Sequence, residues 1–377
     1  MRILLITEFF PESAGKITGG VEARAFYVAK ELAKRNTVVV LTSKRPNIAE
    51  GSFSKFRVIR INPRYPYSQT GSLVRRMLFG LNACVKGPSI VRSNNIEIVD
   101  GYSFFTYPAA IFIGLLTKAK SILTYHEVWV GNWVKNTGKK MGVLGELAER
   151  KVLLVARLLK IKIIAVSSFT KRELVKHGID TEMIEVINNG VEAKSVRAKK
   201  FKAPTVCFVG RLTKHKRVDD LILAMNIVRK KIRNVRGVII GDGPERARLE
   251  KLTLSLNLRC IEFTGFLPKT EDVARLRSRC NVFCSPSVVE GFGITLVEAI
   301  AAGLPFVVSD IEPFKEISQG KGGLLFKQGN VEDLAANLIT LLTDRKLYAK
   351  CKEEEKQLAK CFSWGNIAKQ IEAAYSK

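Results

Sequence analysis

Residues Ser285 to Ala299 read SPSVVEGFGITLVEA, and this stretch decides the fold. A short apolar run (Val282–Ser285) ends at a glycine-interrupted turn, and a helical pattern opens near Ile294. Strand, glycine loop, helix is the unit from which parallel α/β sheets are built. The turn also has a chemistry. Gly291 and Gly293 let the backbone approach a ligand closely. A helix N-terminus presents N–H groups and a dipole that favour an anion. With the helix starting near Ile294, Glu298 lies roughly 6–8 Å further along, at about 1.5 Å per residue. That is the reach from a diphosphate to the hydroxyls of a ribose. Glu290, before the helix, can face a sugar on the other side of the phosphates. Each charged hydrogen bond of this kind contributes about 1.5–3 kcal/mol. Taken singly, either glutamate reads as a cap or an exposed helical residue; together with the glycines they point to a sugar nucleotide. A glycoside hydrolase also uses a carboxylate pair, but needs neither helix-end glycines nor a distant basic pair.

Outward from this stretch the same alternation recurs. In the first half, Arg2–Thr7 reads as a strand, followed by a glycine loop (Gly15, Gly19, Gly20) and a helix over Val21–Arg35. Strands are predicted at Thr37–Thr42, Phe56–Ile61, Ile96–Asp100, Ser121–Tyr125 and Ile161–Ser167, with a helix near Thr170–His177. The pattern breaks at Asn188-Asn189-Gly190-Val191, and a polar, basic stretch runs to Pro204. It then restarts with strand Thr205–Gly210, helix Val218–Lys231, strand Val235–Ile240, loop Gly241-Asp242-Gly243-Pro244 and helix Glu245–Asn257. Strands follow at Ile261–Thr264, Val282–Ser285 and Phe306–Ser309. The expectation is an α/β chain of two Rossmann-like domains facing a central cleft, residues 1–192 and 203–361. Ligands then bind at the carboxyl ends of the strands.

Arg211 and Lys216 stand five apart on a loop between a strand and a helix. An arginine fork and a lysine point charge suit phosphate oxygens, although a solvated basic loop has the same composition. Gly19-Gly20 occupies a phosphate-loop position without the full dinucleotide spacing or a P-loop lysine; a tight turn explains it equally well. His126 follows a strand and should stand at a sheet's carboxyl edge beside Glu127. Leu73, Val74, Met77, Leu78, Leu81 and Val85 recur at helical spacing within Gly71–Lys86, with Arg75, Arg76 and Lys86 among them. That pattern fits a basic amphipathic helix on anionic lipid and, equally, a half-buried surface helix.

Charge narrows the partners: 62 Lys+Arg against 35 Asp+Glu give a net charge of +27. Acidic partners follow, meaning phosphates, anionic lipid or nucleic acid. A nucleic-acid-binding protein would be expected to interleave aromatic residues with the basic ones, and no such motif is present, so nucleic acid is not expected. Seven scattered cysteines suit reduced thiols in a cytoplasmic protein. Cys280 and Cys284, four apart and placeable on one helical face, read as small buried side chains rather than metal ligands. No signal peptide is read at Met1–Thr7. The apolar stretch Phe104 to Leu116 is too short to span a membrane and contains Pro108.

The chain resembles the retaining glycosyltransferases of the GT-B fold, family 4 (glycosyl transferases group 1), over nearly its whole length. The resemblance rests on Gly19-Gly20, His126-Glu127, Val166-Ser167-Ser168, Asn189-Gly190-Val191, Val209-Gly210-Arg211-Leu212, Gly241-Asp242-Gly243-Pro244, Phe263-Thr264-Gly265 and Glu290-Gly291-Phe292-Gly293 through Glu298-Ala299, in that order. The Glu-x7-Glu segment is the specific part. It implies transfer of a hexose, with retention, from a nucleotide sugar (UDP-, GDP- or ADP-hexose) to a glycan or lipid-linked acceptor. By resemblance, Arg211 and Lys216 bind the donor diphosphate and Glu298 the ribose. Glu290 contacts the sugar, and the amides of Phe292, Gly293 and Ile294 hold phosphate and sugar. Gly20 approaches the diphosphate from the opposite domain, His126 stands beside sugar and acceptor, and Gly265 and Phe266 lie near the base. Catalysis falls to His126, Arg211, Lys216 and Glu290, with no cofactor or metal expected. Residues 362–377 resemble the family's terminal helix, which returns to the N-terminal domain. Arg217 stands where glycine is frequent, adding charge near the phosphates. A cytoplasmic enzyme is implied, peripheral at the membrane's cytoplasmic face if the acceptor is lipid-linked. A sugar-nucleotide epimerase or phosphorylase on the same scaffold, or an inactive scaffold subunit, would share the fold.

Overall fold

The computed structural model describes residues 1–377 except 13–16, 18, 46–52, 54, 65–72 and 192–197. Gly15, Gly71 and part of the basic stretch after Val191 therefore lie outside the described residues. The chain divides into two compact units, Met1–Asn189 with Trp364–Lys377, and Gly190–Ser363.

The first unit runs β1 (Arg2–Ile6), α1 (Gly20–Leu32), β2 (Thr37–Lys44), β3 (Arg57–Arg64), α2 (Leu73–Ser93), β4 (Ile98–Gly101), α3 (Tyr107–Thr117), β5 (Lys120–Tyr125), α4 (Trp133–Thr137), α5 (Lys139–Leu158), β6 (Lys162–Ala165), α6 (Ser168–Lys176) and β7 (Ile184–Val186). Its sheet order is β3-β2-β1-β4-β5-β6-β7, all parallel. Parallel strands are covered on both faces and read as unbroken apolar runs. In β1, Ile3, Leu4, Leu5 and Ile6 are all fully buried. Alternation then sorts them. Leu4 and Ile6 join Val39 and Leu41 in a core with α2, α3 and α5. Ile3 and Leu5 join Val38 and Val40 in a core with α1 and residues Trp364, Ile367 and Ile371.

The second unit runs β8 (Thr205–Val209), α7 (Val218–Lys231), β9 (Arg236–Ile240), α8 (Arg246–Ser255), β10 (Ile261–Gly265), α9 (Thr270–Ser278), β11 (Val282–Ser285), α10 (Ile294–Ala301), β12 (Phe306–Ser309), α11 (Glu312–Ser318), β13 (Gly323–Phe326), α12 (Val331–Thr343) and α13 (Arg345–Cys361). Its parallel sheet has order β10-β9-β8-β11-β12-β13. Helix α14 (Trp364–Ser376) belongs to the first unit. There Trp364 stacks on Tyr27 at 5.3 Å, and the Tyr375 hydroxyl donates to buried Asp100 at 2.6 Å.

Both sheets therefore repeat the doubly wound order 3-2-1-4-5-6, the first with one strand added. Each reverses direction beside its first strand. The crevices between the loops after β1 and β4, and after β8 and β11, are the switch points where such folds bind ligands.

Several elements escaped the sequence pattern. Helix α3 is buried along Ala109, Ala110, Ile113 and Gly114, while Phe112, Leu115 and Leu116 are exposed. Apolar on both faces, it has no period to read. Pro108 sits in its first turn, where a missing N–H costs nothing. Cys284 lies on strand β11 and Cys280 before it, so the two share no helical face; both are fully buried.

Candidate active site

The C-terminal switch point is assembled by backbone constraints. Gly241 has φ +135°, and a Cβ there would meet the Gly210 carbonyl oxygen at 1.9 Å. The loops after β8 and β9 can lie this close only because a glycine separates them. Leu212 N donates to Asp242 O at 2.9 Å, which fixes Arg211 at the mouth of β8. A single 3-10 turn, Lys214–Lys216, follows. Val288 N then donates to His215 O at 2.9 Å and ties this turn to the loop after β11. Across that tie the Lys216 ammonium meets Glu290 Oε1 at 2.5 Å, with side chains 17% and 11% exposed. Two residues 74 apart in sequence thus form one pair at the switch point, while Arg211 stands half-buried five residues before Lys216.

Gly293 caps α10 with φ +99°, and a Cβ there would meet Phe314 Cε1 at 2.7 Å. Phe292 is buried edge-on to Phe362, with ring centroids 6.2 Å apart. Packing on both sides thus pins the turn, and α10 begins at Ile294. The first amides of a helix have no intrahelical acceptor, so they are available to an anion. One turn on, Glu298 accepts from Arg277 Nη1 at 2.6 Å and remains 36% exposed. Arg277 is buried on α9, and its Nε has no partner. Sequence reading missed it, because nothing local marks an arginine 21 residues before the glutamate it holds.

Not every sequence candidate joins this cluster. Gly265 (φ +71°) and the largely exposed Phe266 lie at the end of β10, two strands away from β8. Gly265 O accepts from Gly241 N at 3.0 Å, which connects that edge to the glycine loop. Arg217 does not add charge toward the Lys216–Glu290 pair. It adopts φ +48°, the left-handed region where glycine is easiest. Its guanidinium turns onto Asp220, with bonds of 2.9 and 2.6 Å, at the start of α7.

In the first unit, Gly20 opens α1 behind the extended Gly19. His126 follows β5, as the sequence reading places it. Its carbonyl accepts from Thr170 Oγ1 at 3.3 Å, and its Nε2 is buried without a partner. Burial, reinforced by the charge of Arg24, pushes its pKa down to about 3, so the ring is neutral near pH 7. Arg24 is itself fully buried, donating through Nη1 to Asn188 O at 2.8 Å and Asn189 Oδ1 at 2.9 Å, while its Nε and Nη2 have no partner. Asp100, at the end of β4, accepts from Thr124 Oγ1 at 2.9 Å as well as from Tyr375. Burial raises its pKa to about 7 against the opposing pull of those bonds. At this switch point Glu8 accepts from Ser103 Oγ at 2.7 Å and pairs with Arg76 of α2. Arg76 also lies over the rings of Phe9 and Phe105, at 6.0 and 5.0 Å. Its charge is engaged inside the protein, unlike that of a lipid-facing residue.

Similarity to known proteins follows the same division. Residues 18–195 match the family Glycosyltransferase Family 4, and residues 192–358 match Glycosyl transferases group 1. An uncharacterised glycosyltransferase of Methanocaldococcus jannaschii is 28% identical over 309 residues, 80% of this chain and 82% of that protein. One from Haemophilus influenzae is 26% identical over 190 residues, 50% of this chain and 53% of its own. The alpha-monoglucosyldiacylglycerol synthase of Acholeplasma laidlawii is 28% identical over 211 residues, 55% and 51% of the two chains. The chain thus spans about half the length of the latter two. Anabaena HepE, crystallised with UDP and glucose, has a TM-score of 0.74 at 19% identity, covering 100% of this chain and 99% of its own. Sucrose-phosphate synthase from Thermosynechococcus elongatus has a TM-score of 0.79 at 20% identity, covering 100% and 98%. The fold is GT-B. The chain belongs to glycosyltransferase family 4.

Proposed function

We propose that this glycosyltransferase moves a hexose from a nucleotide-sugar donor to an acceptor in glycoconjugate synthesis, with retention at the anomeric carbon and without a metal. The observation that carries the reading is the Lys216–Glu290 pair at the β8/β11 switch point, beside Arg211 and the opening of α10. A nucleotide sugar brings two phosphates, a ribose and a hexose, and the site has a counterpart for each.

Arg211 and Lys216 receive the diphosphate. Charge grows on it as the glycosidic bond breaks, and fixed cations and helix-end amides stabilise that growth without reorganising. Lys216 is already held in place by Glu290, and Glu290 in turn faces the hexose. Glu298, steadied by Arg277, accepts from the ribose hydroxyls. A diphosphate leaves with little need of protonation, so cations replace a general acid. The neutral ring of His126 offers a hydrogen bond rather than a charge beside the acceptor. HepE with UDP and glucose and the glucolipid synthase of Acholeplasma laidlawii support a nucleotide-sugar donor and a lipid-linked acceptor. Such an acceptor puts the enzyme at a membrane surface.

Thermal-shift measurement against UDP, GDP, ADP and their hexose conjugates tests the donor. A ligand of the folded state alone raises the melting temperature by mass action, so one base should stand out and its hexose conjugate should turn over. No shift with any of the nucleotides would refute the reading. The anomeric configuration of the first-formed product, read by NMR, tests retention.

A further inference from the structure

Exposed large apolar side chains are very unevenly distributed. Of the 20 among the described residues, 14 lie on α2, α3 and α5 of the first unit, whereas the second unit carries only Leu254, Phe266 and Val289. On α2 the buried face is Phe79, Gly80, Ala83, Gly87 and Val91. The stripe picked out by its sequence spacing therefore points outward, with Val74 61% and Val85 78% exposed. Leu115 (62%) on α3, and Leu144 (61%) and Leu158 (71%) on α5, are as exposed.

The three helices form one surface. A Cβ at Gly80 would meet Phe105 O at 2.5 Å, and at Gly87 Ile113 Cδ1 at 2.2 Å, so α2 is seated directly on α3. Ala109, Ala110 and Ile113 of α3 share a core with Val152, Leu153 and Ala156 of α5. The outward face is also nearly free of acid. Neither α2 nor α3 contains Asp or Glu. On α5, Glu149 is buried and Glu146 is paired with Arg150 at 2.8 Å. Exposed Arg75, Lys86, Lys151 and Arg157 stand among the leucines and valines.

We propose that the joint outer face of α2, α3 and α5 is a docking surface for an anionic bilayer, with the apolar side chains entering the interface and the cations meeting lipid headgroups. No helix is long and apolar enough to cross a membrane among the described residues, and the proposed face rests on the bilayer surface. A second copy of the chain is a poor occupant, because it would set cations against cations. The inference rests on the lipid-linked reading of the acceptor and widens it. The sequence pattern marked α2 alone, whereas α3 and α5 supply nine of the 14 side chains.

The test is cosedimentation of the full chain with vesicles of phosphatidylglycerol and phosphatidylcholine, and with phosphatidylcholine alone, from low to high salt. Three variants are compared: Leu115→Gln with Leu116→Gln, Leu144→Gln with Leu158→Gln, and Lys151→Ser with Arg157→Ser. Leu254→Gln on α8 is the control. Binding should require the anionic lipid and fall with salt. Each cation removed should lower partitioning about five-fold, and each leucine pair about ten-fold or more. The control should bind as the parent does. Parental binding by the α3 and α5 variants would overturn the proposal. So would equal binding to neutral vesicles, no vesicle binding at low salt, or a dimer in solution that the leucine variants convert to monomer. Nucleoside diphosphate binding measured on the same samples separates the two claims. A chain that binds diphosphate but no vesicle refutes the surface alone, and one that binds vesicles but no diphosphate refutes the donor site alone.

Discussion

The two units share a strand order and dispose the polar groups of their switch points differently. In the C-terminal unit, Lys216 ends a 3-10 turn, Glu290 precedes the glycine turn and Glu298 lies one turn into α10, and all three remain partly accessible. In the N-terminal unit, Arg24 and Asp100 are fully buried and Glu8 nearly so, several of them close to the carboxyl edge of the sheet. There the exposed large apolar side chains are concentrated. One topology thus carries two arrangements: one unit holds charges on the loops of its switch point, while the other uses charge internally there and turns leucine and valine outward. Topology places the crevice, and side chains decide what enters it.

The largest effect expected from this contrast is steric. Gly241→Ala drives a methyl group into the Gly210 carbonyl. Diphosphate binding should be lost and the melting transition of the C-terminal unit should fall steeply or vanish. Gly131→Ala in the N-terminal unit is the counterpart: φ is +85° but nothing lies within 4 Å. It should cost only the left-handed backbone penalty, about 1–2 kcal/mol, measurable by chemical denaturation. Similar losses at both positions would mean that the close approach of the two loops is not structural.

Chemistry comes next. Removing Lys216 or Arg211 should lower kcat about 10²–10³-fold, by analogy with loss of one fixed donor to developing charge, and by more than it raises the donor KM. A change confined to KM would make these residues uniform binders rather than catalysts.

Smaller, and confined to the N-terminal unit, are two opposed pH dependences. His126, depressed to about 3, contributes stability above its ordinary value near 6.5 that is lost as pH falls below it. Asp100, raised to about 7, acts the other way, and so does Glu149, raised to about 7 by burial. Their contributions are present near pH 4 and are lost as pH rises toward 7. Between pH 4 and 7 the slopes therefore partly cancel. In melts across that window, His126→Gln should lose more stability with rising pH than the parent, and Asp100→Asn should gain more. Parallel curves for all three proteins would show that these groups do not titrate as placed.

How much of this was legible in the sequence also differs by unit. The C-terminal site announces itself locally. Glycines with φ above +90° must be glycines, and the helix at Ile294 follows from its turn. Glu290 and Glu298 lie within one motif. Its tertiary supports do not: Arg277 on Glu298 and the onward turn of Arg217 onto Asp220 appear only in three dimensions. In the N-terminal unit, His126 was visible as a strand-end histidine, but Asp100 and Tyr375 come together across 275 residues without a spacing signal. The outer helix α3 was hidden by its own composition. A helix apolar on its outer as well as its inner face blurs the 3.6-residue period by which helices are recognised. The apolar outer face that hid it is part of the surface proposed here to hold the protein to a membrane.

Calorimetry with the nucleoside diphosphate that the chain binds tests the donor site most directly, using Glu298→Ala and Glu290→Ala side by side. In the proposed assignment Glu298 faces the ribose and Glu290 the hexose. Glu298→Ala should therefore weaken diphosphate binding about ten-fold or more, as expected for a lost charged hydrogen bond. Glu290→Ala should leave that affinity nearly intact and reduce turnover of the sugar donor instead. Equal losses of affinity in the two variants, or none in either, would contradict the division of the site into a ribose end and a sugar end.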